Sequence, residues 1–145
     1  HTGFDLRAIE KAYKNNNKGS KKMKGGSTIS QQTAKNVFLW PDRTWVRKGL
    51  EAYFTLLIEI IWGKERIIEV YLNVIEMGDG IYGSQAAAEA YYNKNALDLT
   101  PAQAAGIIAV LPNPRIYFVK TPSAYTIKRK GAIMRRMKKI QELNF

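Results

Sequence analysis

Gly25-Gly26-Ser27-Thr28-Ile29-Ser30-Gln31-Gln32-Thr33-Ala34-Lys35-Asn36-Val37-Phe38-Leu39-Trp40-Pro41-Asp42 is the stretch on which the reading of this chain turns. Thr28 followed three residues later by Gln31 has the spacing of a capping box, in which the two side chains satisfy each other's backbone N–H groups at a helix start. The segment therefore opens a helix that runs to about Leu39, where Pro41 and Asp42 stop it. The same punctuation recurs on both sides. Asp5 caps a short helix over Leu6 to Tyr13, and Lys14 to Gly26, with almost nothing to bury, reads as a mobile basic loop.

Downstream, Thr44 caps a longer helix in which Leu50, Tyr53, Phe54, Leu57, Ile58 and Ile61 recur at three- and four-residue spacing, the period of a buried face. Gly63 ends it. Lys64 to Asn73 repeats the helical pattern before Gly78-Asp79-Gly80 and Gly83 break the chain. A short Ala-rich helix follows over Gln85 to Tyr92. Thr100-Pro101-Ala102-Gln103 joins an N-cap, a proline at the first helical position and a capping-box glutamine, so a helix is predicted over Pro101 to Leu111, ended by Pro112 and Pro114. A last helix from Ser123 is expected to turn Ile127, Ile133, Met134, Met137 and Ile140 inward and most of its Lys and Arg residues outward. The one candidate strand is Ile116 to Val119. With no internal repeat and no break in composition, the chain reads as a single all-α domain over residues 1–145.

Composition bounds the function. A chain of 145 residues with 46% hydrophobic residues can bury a core without a disulfide or a metal, and it contains no cysteine. Its 23 Lys+Arg against 12 Asp+Glu leave a net charge of +11, which favours polyanions or anionic membrane surfaces. The longest apolar run, Tyr53 to Trp62, is interrupted by Glu59 and falls short of the ~20 residues that cross a bilayer. The chain starts at His1, and we expect upstream sequence before it.

Two clusters carry candidate chemistry. Gly25 and Gly26 before a helix start allow close approach of a ligand to exposed N–H groups, while Ser27 and Thr28 serve equally well as simple caps. Gln31 and Lys35 lie four residues apart on one face with Gln32 at its flank, so amide and ammonium groups can meet one anionic, hydroxyl-rich ligand; a solvated face explains the same residues. Glu51 follows Arg43, Arg47 and Lys48. An intrahelical ion pair accounts for that spacing, and so does a carboxylate at the core's edge that organises a pyrophosphate-binding group or exchanges a proton with a leaving group.

These residues carry a resemblance to the peptidoglycan glycosyltransferases of glycosyltransferase family 51, in particular the monofunctional biosynthetic transglycosylases of bacteria. His1-Thr2-Gly3-Phe4-Asp5 resembles the end of the family's first motif. Gly26 to Gln32 with Lys35-Asn36 resembles the second, and Arg47-Lys48 with Glu51 and Glu59 the third. Lys64, Ile67 or Ile68, Glu69, Tyr71, Leu72, Asn73 and Gly78 resemble the fourth, and Ala87-Ala88, Tyr91-Tyr92 and Lys94 a looser fifth. Phe38-Leu39-Trp40 and Leu111-Pro112-Asn113-Pro114 lean toward the monofunctional branch, as does the lack of a Ser-x-x-Lys signature within these residues.

The resemblance implies a lysozyme-like helical fold with a larger head lobe and a small mobile jaw that leans on the membrane. It implies polymerisation of lipid II into β-1,4 glycan strands, with inversion and loss of a lipid pyrophosphate. Glu51 is then the catalytic carboxylate at the donor site, and Ser27, Gln31, Gln32, Lys35, Asn36, Arg43, Arg47 and Lys48 bind substrate. The general base implied by the first motif, a Glu upstream of His1, lies outside this sequence, and without it we expect donor-site binding with almost no turnover. No cofactor is required; Mg2+ or Mn2+ at the pyrophosphate is optional, and no metal-ligating residues are assigned. The implied partners are lipid II, the growing strand, the membrane surface and a phosphoglycolipid inhibitor such as moenomycin, with penicillin-binding or cell-division proteins compatible. Nucleic acid is not expected as a ligand. The implied place is the outer face of the bacterial cytoplasmic membrane, held by an N-terminal helix absent from these residues. Two other readings share parts of this pattern: a lysozyme-like glycan hydrolase, which does not need a cation cluster, and a basic helical nucleic-acid-binding module, which does not explain Glu51.

Overall fold

The structure, a computed structural model, describes residues 3–17 and 26–140. Those residues form seven α-helices and one small hairpin, as the all-α reading expects. The chain divides into two compact units, His1–Tyr71 and Leu72–Phe145.

In the first unit, α1 (Leu6–Asn17) starts where Asp5 Oδ1 accepts from the Ala8 N–H at 2.9 Å, the cap read from sequence. It continues one turn beyond Tyr13, so Lys14 to Asn17 are helical rather than loop. The rest of the expected basic loop, residues 18–25, lies outside the described residues, as do His1 and Thr2. Helix α2 (Ile29–Phe38) and α3 (Trp45–Ile61) pack side by side. Their seam buries Ala34 and Ile58 together with Ile67 of α4 (Gly63–Val74), and Phe54 and Trp62 close it. The Phe38 ring stacks on Phe54 at 4.7 Å and 12°, a pair worth ~1 kcal/mol beyond its buried area.

The apolar stripe predicted for α3 does not face inward as a whole. Ile58 is buried and Phe54 half-buried, but Tyr53 is 56% and Ile61 70% exposed. The buried face instead runs Glu51, Thr55, Ile58, at spacings of four and three. Apolar residues occupy nearly the whole circumference of this helix, so period alone leaves the choice of face open. The small side chains of α2 decide it. Thr55 tolerates burial because its hydroxyl donates to the Glu51 carbonyl at 2.6 Å.

The second unit begins with the end of α4 and a hairpin of β1 (Glu76–Gly78) and β2 (Ile81–Tyr82), antiparallel, with Glu76 opposite Tyr82 and Gly78 opposite Ile81. The strands thus lie at the glycine-rich break, and Ile116 to Val119 is not a strand. Asp79-Gly80, with Gly80 at φ +72°, makes the turn, as Asp-Gly pairs do in tight hairpins. A Cβ on Gly78 would collide with Tyr91 Oη, which donates to the Met77 carbonyl at 3.0 Å.

Helices α5 (Ser84–Tyr92), α6 (Pro101–Val110) and α7 (Ala124–Met137) complete the unit around Met77, Ala87 and Ile107. The Thr100/Gln103 capping box forms as predicted. Ser123 caps α7, yet Ile127 is 57% and Met137 38% exposed, and Ile140 lies past the helix end. The inward positions of α7 are Thr126, fully buried, and the half-buried Ile133 and Met134.

Candidate active site

Every described candidate residue lies in the first unit: Ser27 just before α2, the others on α2, on α3 or on the segment joining them. The cap at the start of α2 is closed from both sides. Thr28 Oγ1 accepts from the Gln31 N–H at 3.2 Å, and the Thr28 N–H donates to Gln31 Oε1 at 2.9 Å. The Thr28 hydroxyl also donates to the Gly3 carbonyl at 2.6 Å, which ties the N-terminal segment to the helix.

This geometry changes the role of Gln31. Its side chain is 5% exposed and its carbonyl oxygen is committed to the cap, so the shared ligand-facing surface expected of Gln31 and Lys35 is not presented by Gln31 Oε1. Gln32 and Lys35 are half-buried on the same helix, and Ser27 and Asn36 are exposed. Gly26 has a packing reason of its own, since a Cβ there would lie 3.0 Å from Ile9 Cα of α1. Gly25 lies outside the described residues.

On α3 the structure brings three predicted residues together. Glu51 is 3% exposed. Lys48 Nζ donates to its Oε1 at 2.6 Å and Arg47 to its Oε2 at 3.2 Å. Thr44 starts the helix by accepting from the Arg47 N–H at 3.1 Å, which sets the register that stacks 47, 48 and 51 on one side. The two cations differ in exposure: the Lys48 side chain is 47% accessible and that of Arg47 11%, with Arg47 Nε buried and without a hydrogen-bond partner. Arg43 is exposed, and its backbone N–H donates to Asp42 Oδ1 at 2.7 Å.

Chemically, this is a buried carboxylate with both oxygens engaged by cations and one ammonium reaching outward. It is built to hold positive charge in a fixed place, which suits a developing anion. Among the described residues no group of three or more His, Cys, Asp or Glu stands together as a metal site requires.

A second polar cluster was not assigned a role from sequence. Glu59 of α3 accepts from Ser30 Oγ of α2, and Lys64 Nζ of α4 donates to both of its carboxylate oxygens at 2.6 Å. The matched blocks contained Glu59 and Lys64, but a pair five residues apart across a helix break has no spacing signature.

A family model described as Transglycosylase matches residues 1–138, which takes in both clusters. A protein of Bdellovibrio bacteriovorus named biosynthetic peptidoglycan transglycosylase is 61% identical over 137 residues, covering 94% of this chain and 54% of that protein. One of the same name from Caulobacter vibrioides is 60% identical over 133 residues, 92% of this chain and 58% of the relative. Another, from Xanthomonas axonopodis pv. citri, is 54% identical over 140 residues, 97% and 56% respectively. The chain thus spans about half the length of these relatives. A match that runs through the capped start of α2, the Arg47-Lys48-Glu51 cluster and the second unit alike leaves one assignment: the chain belongs to the transglycosylase family.

Proposed function

We propose that this chain is the catalytic part of a peptidoglycan glycosyltransferase that polymerises lipid II into β-1,4 glycan strands. The observation that carries the reading is the buried Glu51 holding Arg47 and Lys48, in a chain 61% identical to a biosynthetic peptidoglycan transglycosylase. In the reaction, the 4-hydroxyl of the acceptor sugar attacks the anomeric carbon of the donor strand from the face opposite the lipid pyrophosphate. The new C–O bond forms as the bond to the pyrophosphate breaks, so the α linkage becomes β. The hydroxyl proton passes to a base, and the departing pyrophosphate takes the electron pair and the negative charge.

Lys48, with Arg47 behind it, meets that charge, and Glu51 fixes both cations so that no reorganisation is needed as the bond breaks. Lys35 and Arg43 add positive charge, while Ser27, Gln32 and Asn36 supply hydroxyl and amide groups to sugar and phosphate oxygens. Gln31 acts by shaping the start of α2. An optional divalent ion would travel with the pyrophosphate, and no step depends on it. We assign the proton-accepting role to no carboxylate of this chain.

The substrate places the work at the outer leaflet of a bacterial cytoplasmic membrane. Among the described residues no helix is long and apolar enough to cross a membrane. A phosphoglycolipid inhibitor, which mimics the donor strand with its phosphate, would occupy the same cations.

The test uses fluorescent lipid II with this chain and with a form lengthened by the preceding residues of the Bdellovibrio relative. Long glycan strands are expected from the lengthened form. Glu51→Gln in that form is expected to lower turnover about 100-fold or more, the usual cost of removing one preorganised charge at a reacting centre. Absence of both polymer and lipid II binding would refute the reading. Release of short muropeptides from finished glycan would replace it with a hydrolase, and salt-sensitive DNA binding with a basic module.

A further inference from the structure

We infer that Glu59 is a positioning residue. It locks the backbone at Gly3 against α2 and α3, and so fixes Gly3 relative to the cations on Glu51. The inference rests on the proposed function for its catalytic readout.

The geometry is a three-way junction within the first unit. The Glu59 side chain is 9% exposed, and its charge is met by the Lys64 ammonium, 2.6 Å from each carboxylate oxygen. Ser30, 3% exposed and in the first turn of α2, donates to the same carboxylate. One acid therefore joins the start of α2, the last turns of α3 and the start of α4. A buried charge held by three hydrogen bonds from two donors keeps a single orientation, because any rotation strands a buried partner.

The stem of the same side chain does the second half of the work. Gly3 is buried at φ +88°, and a Cβ on it would lie 2.8 Å from Glu59 Cγ and 3.1 Å from Thr55 Cγ2. The backbone can cross α3 here only because residue 3 has no side chain and the Glu59 methylene is held in place beneath it. On the far side, the Gly3 carbonyl accepts from Thr28 at 2.6 Å. Gly3 is thus held between Thr28 of the α2 cap and the stem of Glu59. Thr55, whose Cγ2 a Cβ on Gly3 would also meet, donates to the carbonyl of Glu51 itself. Glu59, Gly3, Thr55 and Glu51 form one continuous set of contacts from the N-terminal segment to the cation cluster. Glu59 touches no cation of that cluster, so it acts through Gly3.

A misplacement of about 1 Å at a reacting centre costs on the order of 100-fold in rate while leaving ground-state binding at a separate subsite intact. The experiment compares Glu59→Ala, Glu59→Gln and Gly3→Ala in the form that polymerises lipid II. It measures kcat, KM and the Kd of a phosphoglycolipid inhibitor, together with hydrogen exchange along the chain. We expect Glu59→Ala and Gly3→Ala to lower kcat about 100-fold with KM and Kd within about threefold. Amides at residues 3 and 4 should lose protection while the middle of α3 keeps it. Glu59→Gln keeps the stem and an acceptor for Ser30, and should restore kcat to within about tenfold.

Wild-type kcat in Glu59→Ala would overturn the inference. So would a loss of kcat matched by loss of protection throughout α2, α3 and α4, which is what a merely structural residue gives. If Glu59→Ala does not fold, Ser30→Ala and Gly3→Ala carry the same comparison. If the parent form binds and polymerises no lipid II, the proposed function fails, and exchange at residues 3 and 4 still decides whether Glu59 holds the junction.

Discussion

Two capping boxes with the same hydrogen bonds sit in different surroundings, and their removal should cost different amounts. At Thr28 the two cap bonds are 3.2 and 2.9 Å. At Thr100 they are 3.2 and 3.0 Å. Thr100→Ala removes a cap whose N–H groups water can reach, so its cost is that of an ordinary cap, about 1 kcal/mol. Thr28 is 8% exposed, and Thr28→Ala removes the hydroxyl that bonds the buried Gly3 carbonyl and strips the partner from the N–H of the buried Gln31. Unmet buried groups add about 1–3 kcal/mol, so the total is about 2–4 kcal/mol. The assay is native-state hydrogen exchange, which reads α2 and α6 separately. Protection of α2 should fall about 30-fold to 1000-fold in Thr28→Ala, against about 5-fold for α6 in Thr100→Ala. Thr28→Ser, which keeps the hydroxyl, should lose about 1 kcal/mol through its buried methyl. Equal losses at the two caps would refute the claim that burial and the bond to Gly3 decide the cost.

Three further outcomes can be read by unfolding measurements. Gly49→Ala should stabilise the first unit by about 0.5–1 kcal/mol, since the site is inside α3 and a Cβ there meets nothing within 4 Å; a higher urea midpoint with unchanged slope is the expected result. Gly83→Ala should do the opposite by about 2 kcal/mol or more, because Gly83 sits at φ +86° and the added Cβ would lie 2.7 Å from the Asn73 carbonyl oxygen. Burial raises the Tyr71 hydroxyl above the ordinary value of 10.0, so its contribution is complete below pH 10 and is lost as pH climbs through the folded-state value. Tyr71→Phe should therefore flatten the alkaline limb of the stability profile above about pH 10, and an unchanged limb would remove Tyr71 as its source.

What the sequence made legible is what local chemistry decides. The caps at Asp5, Thr28, Thr44 and Thr100 are legible because each joins residues three apart, within one turn. Arg47, Lys48 and Glu51 were found for the same reason. The inward face of α3 was misread because apolar side chains surround that helix, and the true inner face includes Glu51 and Thr55, which no hydropathy pattern selects. Gln31 Oε1 serves the cap, a role that its three-residue spacing from Thr28 already carries. The hairpin was read only as a break, since two- and three-residue strands carry no period. Ser30 and Glu59 lie 29 positions apart, and nothing in either neighbourhood announces the other.

The arrangement around Glu51 bears on which chemistry the fold performs. A glycosidase needs a carboxylic acid that gives a proton to a sugar oxygen, and a second carboxylate across the bond about 5–9 Å away. In this chain Glu51 Oε1 accepts from Lys48 and Oε2 from Arg47, so each oxygen is already engaged by a cation. The carboxylate is 4% accessible, the Arg47 side chain 11% and the Lys48 side chain 47%. Accessibility thus rises outward along the cluster, from the acid through the guanidinium to the ammonium. A site that presents an ammonium and keeps its acid behind it is suited to receive negative charge, and the bond it can help to break is one whose leaving group carries that charge away. A pyrophosphate is such a group and a sugar hydroxyl is not, so under the proposed function the cation pair, more than the helical fold it stands on, is what favours transfer over hydrolysis.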